Sequence, residues 1–272
     1  MRTASLSARR GLRLNAGALL ASVGLLVALM IQIFAPGLAV AAGIACFVLG
    51  LPHGAGDEQS GTLRPLAPVR IAAYLIISAA IAALYLAQPL AGLALFLALS
   101  SWHFARGDKG AVSPIALSVA LVAVGGSMLF QPHATGTVLS AITGVALPTA
   151  FTWVLAAVGL AGVALTLATV VKGYRGSAQA VAAVIAVTLL HPVLAVGVIF
   201  LTTHALPIQI SQIEKYGTEA VWRAVALPSI LAIVGTAALA LAVVCGWLAI
   251  PVVAAIAFAL ATPHMITERL ER

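Results

Sequence analysis

Long apolar runs, broken by short polar stretches, follow one another from one end of the chain to the other. A helix needs ~20 apolar residues to cross roughly 30 Å of hydrocarbon. By that measure the runs predict helices over 16–35, 37–52, 69–87, 90–104, 113–130, 150–171, 177–190, 192–210, 225–246 and 250–266. Several of these are short. The runs 177–190 and 192–210 could fuse into one kinked helix, but the joined length would overshoot the bilayer. Pro192 supplies the break, because proline lacks an amide donor and clashes with the preceding turn. The segment 131–149 reads as a long connection. The fold class is therefore all-α: a polytopic transmembrane helix bundle of about ten helices.

Composition agrees. The chain is 62% hydrophobic and 8% charged, where soluble domains are roughly 45–50% apolar and about 25% charged. So few charges could not cover a water-soluble fold of this size, and membrane lipid is the solvent that fits. The net charge of +7 does not indicate nucleic acid, because Lys and Arg are scattered through short connections. Their one cluster is Arg2, Arg9, Arg10 and Arg13, a basic stretch ahead of an apolar helix, which marks a cytoplasmic anchor. The run from Ala16 to Ala35 exceeds the roughly 7–15 residues of a signal-peptide core and is read as the first span. The chain divides into a basic cytoplasmic tail, 1–15, and a transmembrane domain, 16–268.

Charge then orients the helices. With ten spans, every charged residue falls in the N-terminal tail, in an inner connection, at the inner mouth of the third helix (Arg70), or at the C-terminus. The inner connections hold Asp57, Glu58, Arg106, Asp108, Lys172, Arg175, Glu214 and Lys215 among others. The outer connections hold none. The positive-inside rule places both termini in the cytoplasm, as expected of a multi-pass protein of a cell inner membrane. Cys46 and Cys245 lie in apolar segments, form no C-x-x-C pair, and read as small hydrophobes.

Histidine is almost the only ionisable residue left inside the helices, and intramembrane ionisable groups are functional by default. Of the six, His53, His103, His204 and His264 lie 13–17 residues from the outer start of helices that run in one direction, a depth of about 20–25 Å. Four imidazoles in one layer are what a metal site between facing helices requires. Imidazole suits iron, copper and zinc, and a nitrogen-rich site suits a ferrous centre with a position open for oxygen. His133 and His191 fall at the outer face and read as structural, one in a loop and one at a helix end before proline. Asp57, four residues after His53, is a candidate to orient an imidazole N–H; capping the helix end is the competing role.

Four blocks carry a family resemblance. They read GLPHGAGDE from Gly50 to Glu58, SWHFARGD from Ser101 to Asp108, HPVLAVGVIFLTTH from His191 to His204, and TPHM from Thr262 to Met265. In this order they resemble the Brp/Blh family of membrane β-carotene 15,15′-dioxygenases, whose hallmarks are G-L-P-H-G-x-x-D, W-H-F-G-E, P-L-L-A-F-G-x-Y-F-x-x-W-H-S-x-R-H and a late P-H. The resemblance spans roughly residues 43–266. It implies oxidative cleavage of the central double bond of β-carotene by O2 to give two retinal molecules, at ferrous iron held by histidines. By matching blocks, His53, His103 and His204 are the expected catalytic ligands, and His264 is a fourth metal ligand. The carotenoid would enter from the bilayer, and a rhodopsin-type protein is an expected acceptor of the product.

The blocks also depart from the pattern. The second histidine of W-H-S-x-R-H falls on Ile208, Arg106 stands where an acid is usual, and Ile199 replaces a tyrosine. Isoleucine cannot ligate. The competing expectation is thus a catalytically impaired member of the same family, acting as a carotenoid- or retinal-handling membrane accessory protein. Transport ranks lowest, since neither a repeat nor a midplane carboxylate is visible.

Overall fold

The computed structural model describes residues 2–57, 68–105 and 112–267, and omits the side chains of residues 2–16, 55–57, 70 and 267. Among the described residues the chain is helical throughout and contains no strand. The helices are α1 (Arg2–Phe34), α2 (Ala39–Asp57), α3 (Pro68–Ala87), α4 (Pro89–Phe104), α5 (Pro114–Leu121), α6 (Ser127–Phe130), α7 (Pro132–Thr143), α8 (Thr149–Val171), α9 (Ser177–Leu189), α10 (Pro192–Phe200), α11 (Leu206–Tyr216), α12 (Thr218–Val244) and α13 (Ile250–Thr267). A π turn, Val122–Gly126, joins α5 to α6, and a second, Leu201–Ala205, joins α10 to α11.

Among the described residues, five segments are long and apolar enough to cross a membrane: Gly17–Phe34, Pro36–Gly54, Thr149–Val171, Pro192–Tyr216 and Thr218–Val244. Pro114–Phe130 and Pro132–Thr143 meet the same test together, with a bend of 111° at Gln131 between them. Ile71–Ala87, Pro89–Phe104, Ser177–Leu189 and Ile250–Ile266 are shorter apolar helices. The break at Pro192 is present. Leu190 is extended, and His191 caps α10 by accepting the Val193 amide on Nδ1 at 3.3 Å.

Four expectations change. The segment 131–149 is not a plain connection, because residues 132–143 form α7, and His133 lies on this helix rather than in a loop. Helices α11 and α12 reach Tyr216 and begin at Thr218, well into polar sequence. Cys245 is an exposed residue at the end of α12. The helix α1 runs through the basic stretch from Arg2.

The chain forms two compact units. One contains residues 1–47, 104–135 and 149–207, the other 48–103, 136–148 and 208–272. In lipid, helices gain nothing by hiding apolar surface from one another, so close backbone approach and dispersion hold them together. The first unit is built this way. Its core joins Ala21, Ala28, Ala180, Ala183, Ala186, Val187 and Leu194. At the contact of α8 with the first π turn, a Cβ on Gly125 would stand 2.3 Å from the Leu155 carbonyl, and one on Gly159 2.4 Å from the Gly125 carbonyl. No residue but glycine fits at that crossing. Gln131 uses one side-chain amide to donate to the carbonyls of Val187 and Leu190, each at 2.8 Å, and so closes the free end of α9. Gln32 accepts the His191 amide at 2.9 Å just beyond it.

The second unit relies more on aromatic contacts and polar clamps. Phe96 of α4 stacks on Phe258 of α13 with ring centres 4.0 Å apart, and Tyr85 meets Phe258 edge-on at 5.5 Å. The Tyr85 hydroxyl donates to the Ile142 carbonyl at 3.0 Å. Tyr74 of α3 donates to the Leu260 carbonyl, beside the turn of α13 that Pro263 loosens. A proline inside a membrane helix leaves a carbonyl without its usual partner, and neighbouring side chains serve such turns.

Candidate functional site

The contact stripe between α4 and α13 leads to a histidine on each. On α4, Phe96, Ser100 and His103 follow at helical spacing, so they share one face. Phe96 stacks on Phe258, and the Ser100 hydroxyl reaches the Met265 sulfur at 3.8 Å. At the end of that stripe the rings of His103 and His264 lie 5.0 Å apart, centre to centre, with planes inclined by 74°. His53 approaches from the second half of α2, with its ring centre 5.2 Å from that of His264 at 86°. His53 and His103 are 5% and 3% exposed, and so are sealed from solvent.

Local sequence explains how α2 presents its ring. Pro52 lies inside the helix immediately before His53, and Gly54 follows it. A Cβ on Gly54 would touch the His264 ring at 3.4 Å, so the absence of a larger side chain there leaves room for that ring. His53 Nδ1 bonds to the Gly50 carbonyl. A carbonyl only accepts, so the proton resides on Nδ1 and the lone pair on Nε2. An imidazole held in one tautomer by such a bond has its other nitrogen free to ligate. Pro263 stands immediately before His264 in the same way.

Two imidazoles bound to one ion at about 2.1 Å, at roughly a right angle or a little more, have ring centres about 5 Å apart. The two spacings of His264 agree with that value. The donors are neutral nitrogens, which suit iron, zinc or copper rather than magnesium or calcium.

His204 belongs to the other unit. It sits on the π turn Leu201–Ala205, one turn beyond Phe200, with its ring 4.6 Å from that of Phe104 and 6.0 Å from that of Phe200. Phe200 in turn stacks against Phe47 at 5.4 Å. His204, Phe104 and Phe200 line a partly open cavity of about 230 Å³, together with Ile199, Gln179 and Arg175. Sequence reasoning placed Arg175 only in a charged connection and gave Gln179, inside the predicted helix 177–190, no role.

Within the second unit the structure brings His53, His103 and His264 together. Ile208 is half-buried on α11. His133 is exposed on α7, and His191 has the capping role already described. The Asp57 carboxylate, with Arg106 and Asp108, lies outside the described residues.

Comparison with known proteins supplies one finding. A family model described as Beta-carotene 15,15'-dioxygenase matches residues 44–270. That range takes in His53, His103, His204 and His264. No curated protein and no solved structure matches the chain.

Proposed function

Since the chain belongs to the Beta-carotene 15,15'-dioxygenase family, we propose that it cleaves the central double bond of β-carotene with O2 to give two retinal molecules, at a ferrous ion, in a cell inner membrane. The observation that carries the reading is the meeting of three imidazoles from α2, α4 and α13 at 5.0 and 5.2 Å. His53, His103 and His264 would hold the ion. His204 would be a further ligand.

Iron would supply the activation of O2 that protein side chains lack. The chain's own residues do the rest. Gly50 fixes the His53 tautomer and so aims Nε2. Gly54 keeps the space that the His264 ring fills. The burial of His53 and His103 excludes water from the donors, which suits a hydrocarbon substrate that dissolves only in the bilayer. Membrane lipid delivers the carotenoid, and a rhodopsin-type protein is a fitting acceptor of the product.

The direct test is retinal, measured by chromatography in bacterial cells that accumulate β-carotene and express this chain, beside a His53→Ala control. Retinal with loss of orange colour, absent from the control, is the expected result. Unchanged carotene beside well-expressed wild-type chain would overturn the reading.

A second reading, a non-catalytic carotenoid- or retinal-handling member of the family, is favoured by Ile208 alone. Ile208→His separates the two. In an active enzyme with a depleted donor set it should raise iron retention against a chelator by up to about tenfold. No iron in either form would favour the accessory role.

A further inference from the structure

The cavity beside His204 carries a polar edge that a hydrocarbon substrate cannot use. β-Carotene is a hydrocarbon and offers no hydrogen-bond acceptor. Yet one side of this cavity carries the Gln179 amide and the Arg175 guanidinium, while Phe104, Phe200 and Ile199 form apolar walls. Of the nearby hydroxyls, Thr203 already donates to the Ile199 carbonyl at 2.7 Å, and Ser113 accepts the Ala116 amide at 3.5 Å. Gln179 is half-buried and Arg175 exposed. Among the described residues neither side chain has a hydrogen bond or an ion pair. They are donors without acceptors, at the edge of an aromatic slot.

Acceptors arise in the reaction itself. When O2 cleaves the central double bond, the bond between the two carbons is lost and each carbon takes one oxygen atom as a carbonyl. Each product is a conjugated polyene end bearing one oxygen that can only accept. An amide N–H and a guanidinium match that oxygen, and facing phenyl rings match a flat conjugated chain better than a flexible acyl tail. The volume of about 230 Å³ lies below the roughly 300–1,000 Å³ of a pocket that encloses a whole drug-sized ligand. It therefore suits one end of a long molecule.

Resting on the dioxygenase reading above, we propose that this cavity is a product subsite that holds the aldehyde end of the cleaved polyene, with Gln179 and Arg175 donating to the carbonyl oxygen between the Phe104 and Phe200 walls. The site gives the enzyme differential affinity for product over substrate, and it places the aldehyde at an opening lined by an exposed arginine.

The test measures binding without turnover. The full chain, purified into lipid nanodiscs, is titrated with all-trans-retinal and with the C20 hydrocarbon of the same skeleton that ends in a methyl group, reading the polyene absorbance shift. The wild type should bind the aldehyde on the order of tenfold more tightly, as expected for hydrogen bonds from one amide and one charged donor. Gln179→Met keeps the length of a side chain that packs over Gly17, and Arg175→Met keeps an apolar stem. Each should cut the aldehyde preference several-fold. Ala116→Phe, which fills the cavity without touching a polar group, should weaken aldehyde binding. Equal affinity for the two ligands overturns the proposal, as does a preference that neither polar variant changes. Displacement of the aldehyde by equimolar palmitate would assign the cavity to lipid carboxylates and also overturn it. A preparation that binds the aldehyde through Gln179 yet never cleaves β-carotene upholds the subsite while ending the dioxygenase reading. One that cleaves but shows no preference overturns the subsite alone.

Discussion

Histidine stands in two kinds of company in this protein. His264 is met edge-on by His53 and His103, ring against ring, among buried helices. His204 is met by Phe104 and Phe200, and it opens onto a cavity with a polar edge. The same side chain thus has imidazole neighbours in one unit and phenyl neighbours in the other. Converging imidazoles repel one another when charged and have no apolar reason to gather, so a shared cation is the economical explanation of the cluster. Phenyl neighbours offer no donor of their own, so they shape the space beside His204 without competing for its nitrogens.

That contrast can be broken most severely at the cluster. His264→Ala should lower bound iron on the order of 100-fold, whereas Phe200→Leu, which changes only a wall beside His204, should leave it within about twofold, as measured by metal analysis of purified protein after equilibration with ferrous iron. Equal losses would erase the distinction between imidazole and phenyl neighbours.

Gly54 offers a finer cut. Its added Cβ would make ordinary contact with His264 at 3.4 Å, so Gly54→Ala should keep its iron, whereas Gly54→Leu should push the ring aside and lose iron by roughly tenfold or more. Near-UV circular dichroism of both variants would show whether the fold survives. Iron retained in Gly54→Leu would mean that the ring spacing is not what holds the ion.

The smallest expected effect lies in the first unit. Gly159→Ala forces a Cβ against the Gly125 backbone, which cannot yield as a flexible side chain would. It should destabilise the fold by about 1–3 kcal/mol, read as a lower melting midpoint in detergent, with the iron content of folded protein unchanged. A loss of iron without a loss of stability would contradict the separation of packing from metal binding.

Much of this was legible from residue order. Apolar runs located Pro89–Phe104 and Ser177–Leu189 within a residue, because in lipid the span itself is the signal. The same ruler missed α7, whose sequence PHATGTVLSAIT mixes threonine, serine and glycine into a helix of 12 residues, too short and too polar to register. It also stopped α11 early, since a helix continues past the apolar stretch wherever its backbone bonds are satisfied. Histidine depth singled out His53, His103, His204 and His264, of which His53, His103 and His264 meet within one unit. Depth could not give the phenyl neighbours of His204, because its azimuth is set by the π turn in which it lies. Nor could a linear reading give Gly54 its role, which exists only once His264 from a distant helix lies across it.

Those π turns carry one more implication. Each is, in effect, a single extra residue that the helices on either side have absorbed. Deleting one residue from Leu201–Ala205 should let the segment wind as α-helix, with α10 and α11 keeping their faces, while the side chain at the turn swings by about 100°. Chain length can therefore change by one at Val122–Gly126 and at Leu201–Ala205 without dismantling a helix. The change would be felt in which side chain meets the cavity, since Ala123 and His204 both line it from these turns.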